Sequence, residues 1–497
     1  MRNPFSPPRR ALTLGFPLAP LAPLMALVFS GCAIGPDYIR PETALPERYD
    51  EGAETLPAAE VPAVNPEWWT LFRDEELNHL MELALANNHD LKAAVARMEA
   101  AEAAAREAGS DIFPSVDLEG GSIRNRASGK TASGRQTGAA TTTNRRLALN
   151  IGYELDLWGR IRRLNEAAGA EALAGRFGHD ALRLSLAGQI TSGYLTLRVL
   201  DAELGTTARM RESHRQTLEI VRRRLDAGAS SALEAAQARA SLAAVDAQWN
   251  ALRRQRALTE NLLALLTGQP GLRVAESADF NDLPLPPLPP AGLPSSLLEA
   301  RPDIREAEER LAAANARIGV AKAAYFPSIS LTGLLGSESA NISDLFGGQA
   351  TIWSYGATLF MPIFNWGRTG ARLDQVSAVQ REALENYLKT VENAFREVRD
   401  ALVSLREYQA EAAAFAAQTE AAREAWRIAG ARYEAGYSGF LELLDSQRTL
   451  NAAEIQQQDA RRNHLAAAVD LFKALGGGWR EAEGSARVES GPATAVE

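Results

Sequence analysis

The sequence predicts an α+β membrane protein, in which long coiled-coil helices accompany a transmembrane β-barrel that one chain cannot complete alone. Three observations carry this: the chain repeats itself, each repeat holds a helical run far longer than a globular domain needs, and each holds strand-like runs of strict alternation.

The repetition comes first, because it sets the frame for every element. Residues 90–118 align without gaps on 303–331, an offset of 213, with eleven of 29 positions identical. Asp90 matches Asp303, Arg97 matches Arg310, and Phe113-Pro114-Ser115 matches Phe326-Pro327-Ser328. Farther along the offset becomes 208. It then pairs Trp158-Gly159-Arg160 with Trp366-Gly367-Arg368, Gly228 with Gly436, and Leu242 with Leu450. The chain is a tandem duplication: repeat 1 over 75–280, a proline-rich linker over 281–300 that reads as stiff and extended, and repeat 2 over 301–475.

Each repeat opens with helical sequence, from about Glu75 to Gly109 and from Asp303 to Ala324. Its long helix follows two strands. In repeat 2 the apolar positions Leu384, Leu388, Val391, Phe395, Val398, Leu402 and Leu405 step by four and three, which is a coiled-coil seam. Repeat 1 shows a comparable stripe through Leu182, Leu186, Ile190, Tyr194, Leu197, Leu200 and Leu204. If each helix runs from Trp-Gly-Arg to Ala-Gly, its roughly 65 residues span about 100 Å.

The strands complement the helices. From Leu147 to Leu157 every odd position is Leu, Ile or Tyr, while the even ones are Ala148, Asn150, Gly152, Glu154 and Asp156. About eleven such residues is the length of one tilted membrane strand, although a half-buried soluble strand carries the same pattern. A partner is expected near Ser115–Arg124, with counterparts near Ser328–Leu335 and Ser354–Phe364. Polar, glycine-rich loops are expected between them, over Asn125–Arg146 and Gly336–Ile352. Four strands cannot close a barrel, and an open edge in hydrocarbon leaves backbone groups unsatisfied, so the strands must close across subunits. Two copies give eight strands and a filled interior; three give twelve, which can hold a lumen open.

Composition narrows the class of partner. The net charge of −9 includes Arg2, Arg9 and Arg10, so without the first 31 residues it becomes −12, and an acidic chain of this kind argues against nucleic acid. Those arginines precede an apolar run from Ala11 to Phe29 that ends at Ser30-Gly31-Cys32, the layout of a signal peptide over 1–31. Phe29-Ser30-Gly31-Cys32 resembles the lipobox of bacterial lipoproteins, with Phe29 departing from the usual leucine. The resemblance implies acylation of Cys32 and a lipidated, extended segment over 32–74. Residues 476–497, rich in Gly, Ser and charge, read as a disordered tail.

Catalytic patterns are missing from the sequence. Gly129-Lys130-Thr131 is not a phosphate loop, because Arg124 stands where that motif needs glycine. His79, His89, His179, His214 and His464 are too scattered for a metal cluster, and no nucleophile elbow appears. Neither a cofactor, a metal site nor an enzymatic activity is expected.

Several long stretches in order then resemble the TolC-like outer-membrane efflux family, most closely its OprM/NodT-type lipoprotein branch. They are "GCAIGPDYIRPE" from Gly31, "GLPSSLLEARPDI" from Gly292, "AAYFPSISLTG" from Ala323, "FNWGR" from Phe364 and "ARYEAGYSGFLELLDSQRTL" from Ala431. The resemblance implies a homotrimer with a twelve-stranded barrel in the outer membrane and a helical barrel crossing the periplasm. It also implies two partners, a periplasmic adaptor and an inner-membrane transporter of the resistance-nodulation-division type, with cargo chosen by the transporter. A coiled-coil adaptor lipoprotein and a secreted hydrolase are the competing classes; the duplicated strand pairs oppose the first and the missing catalytic constellation the second.

Two sets of site residues follow. Arg-x-x-Ala-Gly closes each long helix at Gly228 and Gly436, which reads either as plain capping or as the tip that docks an adaptor. Beyond the second turn Leu441, Asp445 and Arg448 share one helical face, so three copies would form an apolar, an acidic and a basic ring. The resemblance places these positions, with Tyr433, at the periplasmic gate. Repeat 1 keeps Leu233 but has Gln237 and Ala240 in place of Asp445 and Arg448.

Overall fold

A computed structural model describes residues 33–43, 46, 65–277, 279–289 and 297–479. The signal-like run and Cys32 lie outside the described residues, as does the expected tail from 480 onward. The described residues divide into two compact units: those within 33–39, 103–170 and 312–382 form the first, and those within 40–102, 171–311 and 383–479 the second.

The first unit is built on the sheet. Strands β1 (Ser115–Arg126), β2 (Thr141–Leu155), β3 (Ser328–Ser339) and β4 (Thr351–Phe360) pair antiparallel in the order β1-β2-β3-β4. The duplication is visible in the ladders. Ser115 stands opposite Gly152 in the first hairpin and Ser328 opposite Phe360 in the second, so the hairpins are related by the offsets 213 and 208 found in the motifs. Opposite residues share a face. One face carries Val116, Leu118, Leu149, Leu335, Trp353 and Tyr355, all exposed, with the last two rings stacked at 5.8 Å. The other carries Glu119, Asn144, Asn150 and Glu338, where Asn150 donates to Glu119 at 3.0 Å and Asn144 to Glu338 at 2.8 Å. One apolar and one polar face is what a wall between lipid and water requires.

The strands extend beyond their expected bounds at the loop end, where β2 begins at Thr141 and β3 runs to Ser339. Both faces are polar there, so alternation gives no signal. β4 instead ends at Phe360, before Pro362, which has no N–H to donate. The loop after β1 contains α3 (Ala132–Thr137), between α2 (His89–Ser110) and α4 (Arg160–Asp226) in chain order. At the other end Trp158 Nε1 donates to the Pro327 carbonyl at 2.8 Å, and its ring packs on Phe326 at 4.8 Å. The N-terminal segment 33–43 has no helix or strand; the Ile34 N–H donates to the Trp158 carbonyl at 3.0 Å.

The second unit is helical. It takes in α1 (Glu75–Asn87), α5 (Ala232–Leu266), α6 (Leu297–Ala300) and α9 (Phe440–Ala474), together with parts of α2, α4, α7 (Pro302–Ala323) and α8 (Arg368–Glu434). At 67 residues each, α4 and α8 are about 100 Å long. Its largest core gathers Trp68, Phe72, Leu77, Leu80, Ile190, Tyr194, Leu263 and Phe472, with Trp68 stacked on Phe472 at 5.3 Å. Asp74 caps α1 by accepting from the N–H groups of Glu76 and Leu77, while its other oxygen accepts from the Tyr194 hydroxyl at 2.7 Å. The repeats are clasped alike. Asn88 donates to the Leu266 carbonyl and Arg301 to the Ala474 carbonyl, and 88 to 301 is again 213, 266 to 474 again 208.

The α8 seam differs from the expected stripe. The buried positions are Tyr387, Val391, Ala394, Val398, Ala401 and Leu405, while Leu384, Leu388, Phe395 and Leu402 are half-buried beside them. Alanine lets a neighbouring backbone approach closely, so it occupies the contact line although it contributes little hydrophobicity. The tail expectation is corrected at its start, because residues 476–479 are ordered. The Gly477 N–H closes α9 onto the Phe472 carbonyl, and Trp479 donates to Asp180 at 2.9 Å with its ring edge-on to Phe177. The glycines there end a helix and turn Trp479 back into contact.

Candidate functional site

The site lies where α4 turns into α5 and α8 into α9, all within the second unit. Both turns close by the same mechanism. Gly228 (φ 70°) and Gly436 (φ 79°) take the left-handed conformation, which costs most residues bearing a Cβ about 1–2 kcal/mol. The Ala229 N–H then reaches the Arg224 carbonyl at 2.7 Å, and the Tyr437 N–H reaches that of Arg432 at 2.8 Å. The starts of the outgoing helices differ: the Ser231 side chain caps α5 by accepting from the Glu234 N–H at 3.2 Å, whereas Gly439 gives α9 no side-chain cap.

The helices are held together by an apolar cluster of Leu218, Val221, Ala235, Ala238, Tyr433, Phe440 and Leu444. Tyr433 is buried in it, 5.9 Å from Phe440, with the Arg224 guanidinium 4.6 Å above its ring. That cation–π contact joins repeat 1 to repeat 2. Arg432, the counterpart of Arg224, instead reaches across its own turn to Glu442 at 3.0 Å.

The expected gate residues separate into two environments. Tyr433 belongs to the core just described. Leu441 is 64% exposed, and Asp445 and Arg448 are exposed on the same side of α9, flanking the buried Phe440, Leu444, Gln447 and Leu450. Arg448 Nη2 donates to Ser241 Oγ at 3.1 Å, and Gln447 donates to Ser213 at 2.9 Å. Gly228 and Gly436 sit in open space, with nothing where a Cβ would project.

Sequence reading missed His214. It is buried, and its Nε2 lies 3.2 Å from Asn451 Nδ2, a pairing that suits the ring nitrogen as acceptor from that amide. Burial, and then the charge of Arg448, push its pKa below the ordinary 6.5. Protonation would set a donor against the Asn451 amide and a cation near Arg448. A lone histidine on a helix gives no sequence signal of this, because both neighbours come from the other repeat. Arg224 was within reach, since it is Arg432 of the repeated motif.

Comparison with known proteins identifies the arrangement. The model of the family "Outer membrane efflux protein" matches residues 80–269 and 293–477. The chain belongs to the outer membrane efflux protein family. It is 35% identical over 460 residues to outer membrane protein OprJ of Pseudomonas aeruginosa, covering 92% of this chain and 95% of that one. It is 32% identical over 458 residues to the cation efflux system protein CusC of Escherichia coli, covering 92% and 98%. Among solved structures, the CmeC outer membrane channel of Campylobacter jejuni superposes with a TM-score of 0.84 at 28% identity, over 91% of this chain and 97% of that one. This efflux protein is an outer-membrane exit duct, and the relatives it matches are channels and pump components.

The buried setting of His214 predicts a pH dependence for these turns. A histidine whose folded pKa is lowered contributes stability that is full above its unfolded value of about 6.5 and is lost as the pH falls below it. The expected outcome is a tip that exchanges amide hydrogens faster at pH 5.5 than at pH 7.5 around 210–218 and 444–452. In a His214→Asn variant that difference should shrink, and an unchanged difference would assign the effect to other groups.

Proposed function

We propose that three copies of this chain assemble into the conducting unit, each supplying four strands to one barrel, and that the duct is closed at rest by the face of α9 carrying Leu441, Asp445 and Arg448. The observation that carries this is an apolar Leu441 left exposed beside an acid and a base, both also exposed although Arg448 keeps one bond to Ser241. Around a threefold axis such residues meet their own copies. The outward apolar face of the sheet supports the barrel, since its exposed Leu, Ile, Trp and Tyr side chains need lipid.

In this reading the protein has no catalytic activity and works passively. An inner-membrane transporter of the resistance-nodulation-division type supplies cargo, and a periplasmic adaptor engages the turns at Gly228 and Gly436. The matching left-handed turns support docking there, because they present two similar surfaces per chain and six per trimer. A bulky residue at Gly436 is expected to abolish crosslinking to the adaptor while the trimer persists; unchanged crosslinking sinks the docking role.

Anchoring at the outer membrane includes acyl chains on Cys32. A cysteine carrying two or more chains holds stably where one does not. Metabolic palmitate should label the wild type and not Cys32→Ser, and equal labelling contradicts the anchor.

The gate is tested by electrical conductance. Asp445→Ala with Arg448→Ala leaves the apolar cluster intact and should raise the resting conductance of purified trimers in planar bilayers, together with outer-membrane permeability in cells. Conductance equal to wild type, with trimers still forming, places the constriction elsewhere.

A further inference from the structure

We propose that the β4 edge of one copy pairs antiparallel with the β1 edge of the next in a single register, Leu359 opposite Gly120, and that Trp366 locks the joint by packing on Phe113 and Pro114 of the neighbour. This rests on the trimer reading above and fixes which residues meet.

The register comes from the duplication. The two hairpins are related by 213 from β1 to β3 and by 208 from β2 to β4, in the ladders as in the motifs. The chain contains one joint between hairpins, β2 with β3, where Ile151 faces Gly333, Leu149 faces Leu335, Leu147 faces Ser337 and Arg145 faces Ser339. In a closed barrel of repeated hairpins the β4–β1 joint is the same kind of junction, met by the opposite partners. Shifting the observed pairs by the two offsets sets Leu359 opposite Gly120, Ala357 opposite Ser122, Tyr355 opposite Arg124 and Trp353 opposite Arg126. The parity is right: each pair joins the outward faces of both strands, as defined by the observed ladders.

Three independent features agree with this register. In β2–β3, Gly336 lies opposite Ala148 so closely that a Cβ on the glycine would come within 2.6 Å of the Ala148 Cα. The shifted pair is Ile123 with Gly356, so the small residue reappears on the other strand, and the nearest atom to a Cβ on Gly356 within its own chain is 3.7 Å away. Second, Arg124 and Arg126 come opposite Tyr355 and Trp353, whose rings are stacked and exposed at 82% and 68%, a cation–π arrangement. Third, Trp158 is held on Phe326 and Pro327, whereas its counterpart Trp366 is 89% exposed at φ 54°, and Phe113, the counterpart of Phe326, is 71% exposed. Within its own chain Trp366 meets Phe364 edge-on at 4.7 Å; the Phe–Pro platform that Trp158 has is supplied to it by the next copy, where Trp366 Nε1 would donate to the Pro114 carbonyl.

Cysteine pairs read the register directly. Opposite Cα atoms in an antiparallel ladder are about 4.5–5.5 Å apart, within disulfide range. β1 and β4 of one chain are three strand spacings apart, about 14 Å, so any bond joins two copies. Ser122→Cys with Ala357→Cys should give covalent trimers on oxidation of outer membranes, and single-cysteine controls should not. The shifted pairs Ser122→Cys with Tyr355→Cys and Ser122→Cys with Leu359→Cys should stay uncrosslinked. A shifted pair that bonds while Ala357 does not overturns the register and leaves the trimer standing; no bond in any pair together with a monomeric native mass overturns both. Trp366→Ala should lower the temperature at which trimers dissociate in detergent, with Trp366→Phe in between. Dissociation at the wild-type temperature would mean that Trp366 sits in lipid rather than in the joint.

Discussion

A backbone N–H or C=O left unpaired in hydrocarbon costs several kcal/mol, and a four-stranded sheet presents a row of them along each outer edge. Everything else in this outer membrane efflux protein is arranged around that constraint. The chain carries a sheet with one apolar and one polar face but leaves β1 and β4 without outer neighbours. Only further copies can satisfy those edges, so assembly is a condition of membrane insertion. The helices inherit the same symmetry, because the duplication that supplies two hairpins also supplies two long helices with their turns.

The duplication gives likeness where geometry demands it and difference where function does. Asn88 and Arg301 hold equivalent carbonyls at the ends of α5 and α9 with different chemistry, an amide in one case and a guanidinium also paired with Asp303 and Glu397 in the other. At the turns the glycines are equivalent, yet only the second repeat has Asp445 and Arg448 after the leucine that both repeats share, and only it contributes the tyrosine on which Arg224 rests. The repeats therefore share a scaffold while one of them holds the residues proposed to constrict the duct.

Much of the fold could be read from the sequence because its signals are long. The offsets 213 and 208 related whole elements, Trp-Gly-Arg and Ala-Gly marked both ends of α4 and α8, and alternation located β2. Less legible were features that depend on a partner far away in the chain. The α8 contact line runs through Ala394 and Ala401, which a search for large apolar residues passes over. His214 acquires its setting from Asn451 and Arg448, and Trp479 is ordered by Asp180 and Phe177. At the tip, spacing put Leu441, Asp445 and Arg448 on one face, but not the bond from Arg448 to Ser241 or the burial of Tyr433.

The central claim is that three copies close one barrel, and a single-particle density map of the detergent-extracted protein tests it most directly. Strands in a sheet lie about 4.8 Å apart, so a map that separates them allows the wall to be counted. The account predicts a closed ring of twelve strands under threefold symmetry, with every β1 beside a β4 of the next copy. A ring of eight strands from two copies, or a sheet whose β1 and β4 edges stay open, would contradict it.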